Sequence, residues 1–391
     1  MRVGIYNEPS GGSIGGAELC AAVLAEAMVK TRQVDILHHR RALTIEKLAQ
    51  FSGTNLHAVR LRYVEPDAFS VGSRNPFQRY REAQNWHAAL SEPYDLFINF
   101  THNIPPFCHA AKGVLIILFP LHARPDIASP EKASSRTGSS AWIRLKHIYH
   151  AWEWEKRFNS YQVKAAISQF TRTWVEKRWG FDCQVLYPPV DSDFDVCAKE
   201  NNILSVGRFA TEGHSKKQLE MLTAFREMKY ARTSGYRYFS VGALGSSDAD
   251  RRYFESARRL ASGCGAFVLA NVPRARLKEL FQRSTIFWHA AGYGEDERLH
   301  PELAEHFGIA TGEAMAAGCI PIVINKGSQP EIVQHGVNGF LWSTLKELNE
   351  YTEQVMKDQQ LQTRMREAAR IRARSFSKAE FVSRFSQMLT I

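Results

Sequence analysis

Short apolar runs alternate along the chain with longer segments in which apolar residues recur every three or four positions. The runs are typical of strands buried in a parallel sheet, and the longer segments of helices that pack on its faces. Strands are predicted in the first half at Val3–Tyr6, Val34–His38, Leu56–Val64, Asp95–Phe100, Gly113–Phe119 and Val163–Ser168. The pattern restarts in the second half, at Ile203–Val206, Tyr236–Val241, Ala266–Leu269, Ile286–His289 and Ile320–Ile324. The sequence therefore predicts an α/β protein with two doubly wound, Rossmann-like sheets.

The two halves are separated by Tyr187-Pro188-Pro189-Val190-Asp191, which fits neither period. A chain of 391 residues is too long for one hydrophobic core and suits two domains. We expect an N-terminal domain over 1–187, a linker over 188–200, a C-terminal domain over 201–373 and a last helix over 374–391.

Composition fits a cytoplasmic protein, since 44% apolar and 23% charged residues are ordinary for a globular chain. The six cysteines form no C-x-x-C pair, which predicts buried thiols in a reducing compartment. Met1-Arg2 leads directly into a predicted strand, so we expect no signal peptide. The longest apolar run, Gly113–Pro120, is far shorter than the roughly 20 residues that a membrane span needs.

The net charge of +10 indicates an anionic partner: a nucleoside diphosphate, an anionic lipid surface or nucleic acid. A predicted helix over 141–161 interleaves aromatic and basic residues. Such a helix either lies peripherally on an anionic membrane at its inner face or packs in the core with a solvated basic face.

Three groups of residues lie where ligands bind in α/β proteins. Gly15 and Gly16 end a glycine loop between the first strand and the helix Ala17–Lys30, so the backbone can approach a ligand closely or merely form a tight turn. His102 and His122 follow two predicted strands, and ligands bind beyond the carboxyl ends of parallel strands.

The third group opens the second domain. Gly207-Arg208 follows a strand and Lys216 precedes a helix, so a guanidinium fork and an ammonium are predicted together at a site suited to a diphosphate. The alternative is two solvated surface cations.

Two glutamates flank a further turn. Thr311 is predicted to cap a helix over Gly312–Ala317, which places Glu305 in the preceding loop and Glu313 in the first turn. The helix N-terminus suits a phosphate, and Glu313 suits paired hydroxyls such as those of a ribose, or simply stabilises its own helix.

Glu305-x7-Glu313, with His306-Phe307-Gly308-Ile309 between, resembles the signature of retaining glycosyltransferases of the GT-B fold, the glycosyl transferases group 1 or family 4. The Glu-His-Phe-Gly-Ile form is most similar to the branch that builds dolichol-linked oligosaccharides. Gly15-Gly16-Ala17-Glu18 and the Arg208–Lys216 loop also resemble family motifs. The GT-B fold implies two domains facing a cleft, with a last helix that crosses back to the first domain.

The resemblance implies a hexosyltransferase that moves a mannose- or glucose-type sugar from GDP-mannose or a UDP-sugar to a glycan or lipid-linked acceptor, without cofactor or metal. It implies catalytic roles for His122, Glu305, Arg208 and Lys216. It implies substrate-binding roles for Gly15, Gly16, His102, Phe307, Gly308, Ile309 and Glu313.

Other features leave alternatives open. Two Asp-x-Asp triplets, at 191–193 and 248–250, match a metal-binding pattern of another glycosyltransferase fold, but three residues match easily by chance. The acidic insertion over 290–304 either shapes a substrate pocket or is a solvated loop. A non-catalytic protein that binds nucleotides or nucleic acid would instead show a basic stripe with exposed aromatics. Because the cations singled out lie in a strand–helix loop, we expect no nucleic-acid partner.

Overall fold

The computed structural model describes residues 1–7, 14–65, 76–124, 153–195, 197–211, 215–245 and 247–390. Contacts divide the chain into two compact units. Unit 1 comprises Met1–Tyr187 and Val382–Ile391, and unit 2 comprises Pro188–Phe381. The chain thus passes from one unit to the other between Tyr187 and Pro188.

Unit 1 is built on a parallel sheet, which has seven strands within the described residues, in the order β3-β2-β1-β4-β5-β6-β7. The strands are β1 Arg2–Asn7, β2 Gln33–His38, β3 Arg60–Tyr63, β4 Leu96–Thr101, β5 Lys112–Ile117, β6 Val163–Ala166 and β7 Gln184–Val185. The helices are α1 Gly16–Val29, α2 Ile45–Ser52, α3 Pro76–Ser91 and α4 Gln169–Trp179, and residues 153–159 are also helical.

Unit 2 repeats the architecture with a six-stranded parallel sheet, counted over its described residues, in the order β10-β9-β8-β11-β12-β13. The strands are β8 Glu200–Val206, β9 Arg237–Gly242, β10 Ala266–Ala270, β11 Ser284–His289, β12 Ile320–Ile324 and β13 Phe340–Trp342. The α-helices are α5 Gln218–Glu227, α6 Lys229–Thr233, α7 Asp248–Ala261, α8 Arg274–Arg283, α9 Ile309–Ala316, α10 Gln329–Ile332, α11 Leu345–Lys357, α12 Gln359–Ala373 and α13 Lys378–Thr390. Short 3₁₀ turns lie at Pro301–Leu303 and Arg374–Phe376.

Both strand orders are the Rossmann order, so the predicted fold class of two doubly wound α/β sheets is confirmed. The central strands are continuous apolar runs because helices cover both of their faces: β4 and β12 are buried at every position. Helix α13 begins in unit 2, and its residues from Val382 onward belong to unit 1, where Lys112 Nζ donates to the carbonyl of Leu389.

Several elements differ from the sequence-based expectation. The third strand covers only Arg60–Tyr63, because Leu56 and Val59 fill the core from a turn rather than from a strand. Helix α3 was not predicted, since a thin apolar stripe on a polar helix gives a weak periodic signal. Five of the six cysteines are buried thiols as expected, but Cys197 is exposed.

Candidate functional site

The carboxyl ends of β8 and β11 meet at the centre of the unit 2 sheet. These neighbouring strands lie where the strand order reverses, and loops leaving such a point on opposite sides open a crevice for ligands. The loop after β8 carries Arg208 and Lys216, and the loop after β11 leads to Glu305. The topology therefore brings three of the predicted catalytic residues to one edge of one sheet.

The buried side-chain amide of Gln218 holds the loop after β8 in place. Gln218 Nε2 donates to the carbonyls of Gly207 (3.2 Å) and Arg208 (3.0 Å). Tyr253 in turn holds Gln218, with its hydroxyl accepting from Gln218 N and donating to Gln218 Oε1, both at 3.0 Å. The Arg208 side chain is exposed and has no hydrogen bond or ion pair with any described residue. Its guanidinium is therefore available to a ligand.

Lys216 reaches the site by running across Gly207. A Cβ on Gly207 would lie 2.4 Å from Lys216 Cγ, so only glycine leaves room for this path. The ammonium ends 2.5 Å from Glu305 Oε2, and both side chains are largely buried, at 16% and 13% exposure. Lys216 and Glu305, for both of which the resemblance implies catalytic roles, thus form an ion pair.

The same carboxylate oxygen has a second donor. His289, the last residue of β11, places Nε2 2.7 Å from Glu305 Oε2 and is itself only 4% exposed. Burial lowers the pKa of His289; the adjacent Glu305 acts in the opposite direction, and Lys216 adds to the lowering. Among the described residues, one carboxylate, one ammonium and one imidazole therefore form a buried cluster.

The backbone of Glu305 is held by the turn after β12. Ser328 N and Oγ both donate to the Glu305 carbonyl, at 2.9 and 3.0 Å. Gly327, with φ of 60°, lies so close that a Cβ would come within 2.3 Å of that carbonyl oxygen. Glu305 is therefore fixed at both its backbone and its carboxylate.

Helix α9 starts earlier than the sequence predicted. It spans Ile309–Ala316, with Gly308 at the N-cap in the left-handed region (φ 99°). Thr311 is not the N-cap: it lies inside the helix, fully buried, and donates to Gln329 Oε1 (2.9 Å). Glycine is favoured at position 308 because a residue with a side chain would be strained at this positive φ, and its Cβ would clash with Gln329 Nε2. The first N–H groups of the helix, at Ile309 and after, lack intrahelical acceptors and suit an anion.

Glu313 consequently lies in the second turn, not the first, so the helix dipole does not account for its charge. It is 6% exposed, and its Oε1 lies 2.5 Å from Nη2 of Arg274 at the start of α8. The same guanidinium nitrogen lies 3.2 Å from Asp191 Oδ2. Burial raises the pKa of Glu313, and the Arg274 charge opposes that rise. Glu313 and Glu305 therefore belong to two separate clusters.

The acidic insertion over 290–304 is attached on both sides of Glu305. Glu295 Oε1 lies 2.6 Å from Lys217 Nζ, and Glu297 Oε2 accepts from Gly327 N at 2.6 Å. Lys326 Nζ donates to the carbonyls of Gly292 and Glu295. The insertion is therefore anchored beside the candidate site, which decides against a purely solvated loop.

The second half of the chain is similar in sequence to a known protein family. Residues 193–372 match the family "Glycosyl transferases group 1". Most of unit 2 is therefore similar to a glycosyl transferases group 1 domain. A Dictyostelium discoideum protein named GDP-Man:Man(3)GlcNAc(2)-PP-Dol alpha-1,2-mannosyltransferase is 27% identical over 253 residues, which are 58% of this chain and 48% of that one. The human alpha-1,3/1,6-mannosyltransferase ALG2 is 25% identical over 281 residues, 63% of each chain. The chain thus matches about half the length of the first of these relatives.

The fold extends beyond the group 1 domain. A crystal structure of a glycosyltransferase from Rickettsia africae covers 99% of this chain and 97% of its own, with a TM-score of 0.67 and 14% identity. The GT-B fold predicted from the sequence is therefore confirmed for both units. These relatives do not support the alternative of a non-catalytic nucleic-acid-binding protein.

Outside the group 1 domain, the remaining predicted site residues lie in unit 1. Gly15 is the N-cap of α1, and its N–H donates to Glu18 Oε2 (2.8 Å). Gly16 is the first residue of that helix. His102 follows β4 and His122 lies in an exposed segment after β5; the chain between them is held by Leu121 N, which donates to the His102 carbonyl (3.1 Å).

Phe307 contributes to the group 1 domain mainly as a core residue. Its ring is 2% exposed and packs edge-on against Phe376, with centroids 5.4 Å apart. Its carbonyl accepts from Ser328 Oγ (2.8 Å) and Gln329 Nε2 (3.3 Å). Phe307 therefore shapes the turn that leads into Gly308 and Ile309.

Two residues of the group 1 domain escaped the sequence analysis. His289 ends a predicted strand, so the strand-end argument that selected His102 and His122 applies equally to it. Arg274 is a cation at the start of a helix, where the dipole disfavours positive charge, and such a placement indicates a nearby carboxylate. Both signals were present in the sequence.

The structure also bears on the predicted helix over 141–161 and on the two Asp-x-Asp triplets, for which the sequence left alternatives open. The predicted helix over 141–161 lies mostly outside the described residues, but Trp154 and Phe158 are buried in the core of unit 1. In the Asp-x-Asp triplets, Asp193 pairs with Lys278 (3.0 Å) and Asp250 accepts from Thr211 N (3.0 Å). In the part of the chain that the structure describes, each helix is too short or too polar to cross a bilayer.

Proposed function

We propose that the protein transfers a hexose from a nucleoside diphosphate sugar to a glycan or lipid-linked acceptor, with retention of anomeric configuration. The observation that carries this proposal is the set of groups at the β8–β11 crevice. Arg208 presents an exposed guanidinium, Lys216 an ammonium, and α9 an unpaired helix N-terminus. Together they can neutralise a diphosphate as it leaves.

The donor proposed first is GDP-mannose. The named activities of the Dictyostelium and human relatives are mannosyl transfers, and the former name specifies GDP-mannose. A UDP-sugar is the alternative, because the contacts of the described residues do not distinguish a guanine from a uracil base. A lipid-linked or polysaccharide intermediate is the proposed acceptor class.

Retention by front-face attack suits the environment of Glu305. A carboxylate whose oxygen accepts from both an ammonium and an imidazole is a weak nucleophile, because its lone pairs and charge are already engaged. We therefore assign Glu305 to stabilising positive charge on the hexose ring, with the departing phosphate taking the proton of the acceptor hydroxyl. Arg208 and Lys216 supply the charge that a metal would otherwise supply, so the reaction is proposed to be metal-independent.

A donor screen tests the proposal. The purified chain is incubated with GDP-mannose, UDP-glucose and related nucleotide sugars, and release of the nucleoside diphosphate is measured. Hydrolysis of one donor, lost in Lys216→Ala, is the expected result. Absence of hydrolysis together with absence of calorimetric binding of GDP and UDP would overturn the proposal.

A further inference from the structure

Glu313 is held by a cation on a neighbouring helix. Arg274 is the first residue of α8, and its Nη2 lies 2.5 Å from Glu313 Oε1, while its Nη1 lies 3.5 Å from Oε2. The same Nη2 lies 3.2 Å from Asp191 Oδ2. Asp191 is brought here because a glycine of α9 packs on the preceding residue: a Cβ on Gly312 would lie 2.6 Å from Val190 Cγ1. Arg274 thus bridges two carboxylates and closely engages one oxygen of Glu313.

The position of Glu313 on α9 relates it to the place proposed for the diphosphate. The first N–H groups of α9, from Ile309, suit a phosphate. Glu313 lies four residues further on, about 6 Å along the helix axis, and side chains of an α-helix tilt back toward its N-terminus. Arg274 follows β10 by a short loop, so it lies at the same carboxyl edge of the sheet. Glu313 is therefore placed where the ribose would follow a bound diphosphate.

The charge of Glu313 depends on its neighbours. Its side chain is buried, and burial raises its pKa. The charged groups that face it are Arg274, Asp191 and Lys378; the two cations oppose the rise of the pKa, Arg274 most strongly, and Asp191 adds to it. A guanidinium stays protonated in proteins, so Arg274 is a permanent counter-charge. An ionised carboxylate offers about four lone-pair sites, enough for Arg274 and two hydroxyls together.

We propose that Arg274 is a positioning residue for the nucleotide, keeping Glu313 ionised and oriented so that its carboxylate accepts hydrogen bonds from the ribose hydroxyls of the donor. This inference rests on the proposed nucleotide-sugar transfer. Arg274 itself touches the carboxylate and not the ligand. Asp191 shares the guanidinium, so Arg274 keeps a partner when the ribose draws on the lone pairs of Glu313.

Binding of a ribonucleotide and of its 2′-deoxy form tests the inference. The ligand is GDP or UDP, whichever the wild type binds. We expect Arg274→Met to weaken binding of the ribonucleotide about tenfold, as for one hydrogen bond to a charged group, and binding of the 2′-deoxy form by no more than about threefold. KM for the nucleotide sugar should rise with little change in kcat, because these bonds exist before and during the reaction. Arg276→Met is the matched control, since Arg276 lies on the same helix and pairs with Glu279 at 2.6 Å; it should match the wild type.

The pH dependence of binding supplies a second readout. Binding that needs the ionised carboxylate weakens as the pH falls through the pKa of Glu313. Without the cation that pKa is higher, so the decline should begin at a higher pH in Arg274→Met than in the wild type. Titration of the nucleotide itself is common to both proteins and cancels in the comparison. Coinciding profiles would contradict the proposed role.

The outcomes separate the two proposals. If the wild-type protein neither hydrolyses a nucleotide sugar nor binds GDP or UDP, the proposed function fails, and the role of Arg274 with it. If the wild type binds and folded Arg274→Met loses equally for the ribo and 2′-deoxy forms, or if Arg276→Met shows the same selective loss, only the role of Arg274 is refuted. A purely structural role predicts the equal loss.

A measurement on the wild type covers the case in which Arg274→Met fails to fold. The side-chain carboxyl ¹³C signal of Glu313, assigned by difference from Glu313→Gln, reports both its ionisation and its contact with a ligand. It is expected to be that of an ionised carboxylate at neutral pH and to move more with the ribonucleotide than with the 2′-deoxy form. A protonated carboxyl, or equal movement with the two ligands, would overturn the inference.

Discussion

Glu305→Gln is predicted to make nucleoside diphosphates bind more tightly while donor turnover falls. The substitution keeps the shape of the side chain and removes its charge. Lys216 Nζ lies 2.5 Å from Glu305 Oε2, so a phosphate that needs this ammonium must compete with the carboxylate. Removing the competitor should favour the phosphate.

The size of the effect follows from the geometry. At 2.5 Å the attraction of the two charges is about 7 kcal/mol for an effective dielectric constant near 20. Most of this is offset by solvation of the separated charges, and a hydrogen bond to a charged group contributes a net ~1.5–3 kcal/mol. Because Lys216 has three N–H donors and can partly serve both anions, the lower end applies, which is about tenfold in Kd.

Calorimetric titration of GDP and UDP measures this change directly. Glu295→Gln is the matched control, because Glu295 pairs with the next residue, Lys217, at 2.6 Å. A general effect of lost negative charge would appear in both variants, whereas competition for Lys216 appears only in Glu305→Gln. Unchanged or weaker GDP and UDP binding in a folded Glu305→Gln protein would refute the reasoning.

Four further predictions follow from the same contacts. Arg208→Ala should lower kcat for donor hydrolysis by about 10²–10³-fold, the scale for removing one donor to a developing charge, and near-normal kcat would remove Arg208 from the site. Arg274→Met should lower the free energy of unfolding by about 3 kcal/mol because it leaves Glu313 buried without its cation. Denaturant unfolding measures this loss, and adding Glu313→Gln should restore most of it. Donor hydrolysis should survive excess chelator; loss that manganese restores would contradict the proposed metal independence. The chain, at a net +10, should sediment with anionic vesicles at low salt and be released at high salt, and failure to bind at low salt would oppose a peripheral membrane contact.

The sheets could be predicted because a strand that is buried on both faces of a parallel sheet consists of a continuous run of apolar residues. Short edge strands left no such mark: β7 has two residues and β13 three, too few to show a period. The start of α9 was misplaced for a different reason. Thr311 is a good N-cap by residue type, but the backbone at Gly308 turns into the left-handed region, and that turn depends on the packing of Gln329.

The members of the site could be predicted better than their partners. Arg208 and Lys216 were found from their positions relative to a strand and a helix, and Glu305 from the resemblance of Glu305-x7-Glu313 to a family signature. The Lys216–Glu305 pair spans 89 residues and the Arg274–Glu313 pair 39, and no local spacing specifies such contacts. The sequence alone therefore did not show that Lys216 pairs with Glu305. It also did not show that Glu313 lies in the second turn of α9, where the helix dipole does not account for its charge.

The two ion pairs show why the buried carboxylates of this candidate site need cationic partners within the protein. Glu305 and Glu313 are both largely buried, and a buried carboxylate without a cation is strongly unfavourable. Arg274 pairs with both Glu313 and Asp191, so this cation stabilises the folded protein. Lys216 stabilises Glu305 and is also a cation proposed to hold the diphosphate. The stability of this buried carboxylate and the proposed affinity for the donor therefore depend on the same ammonium.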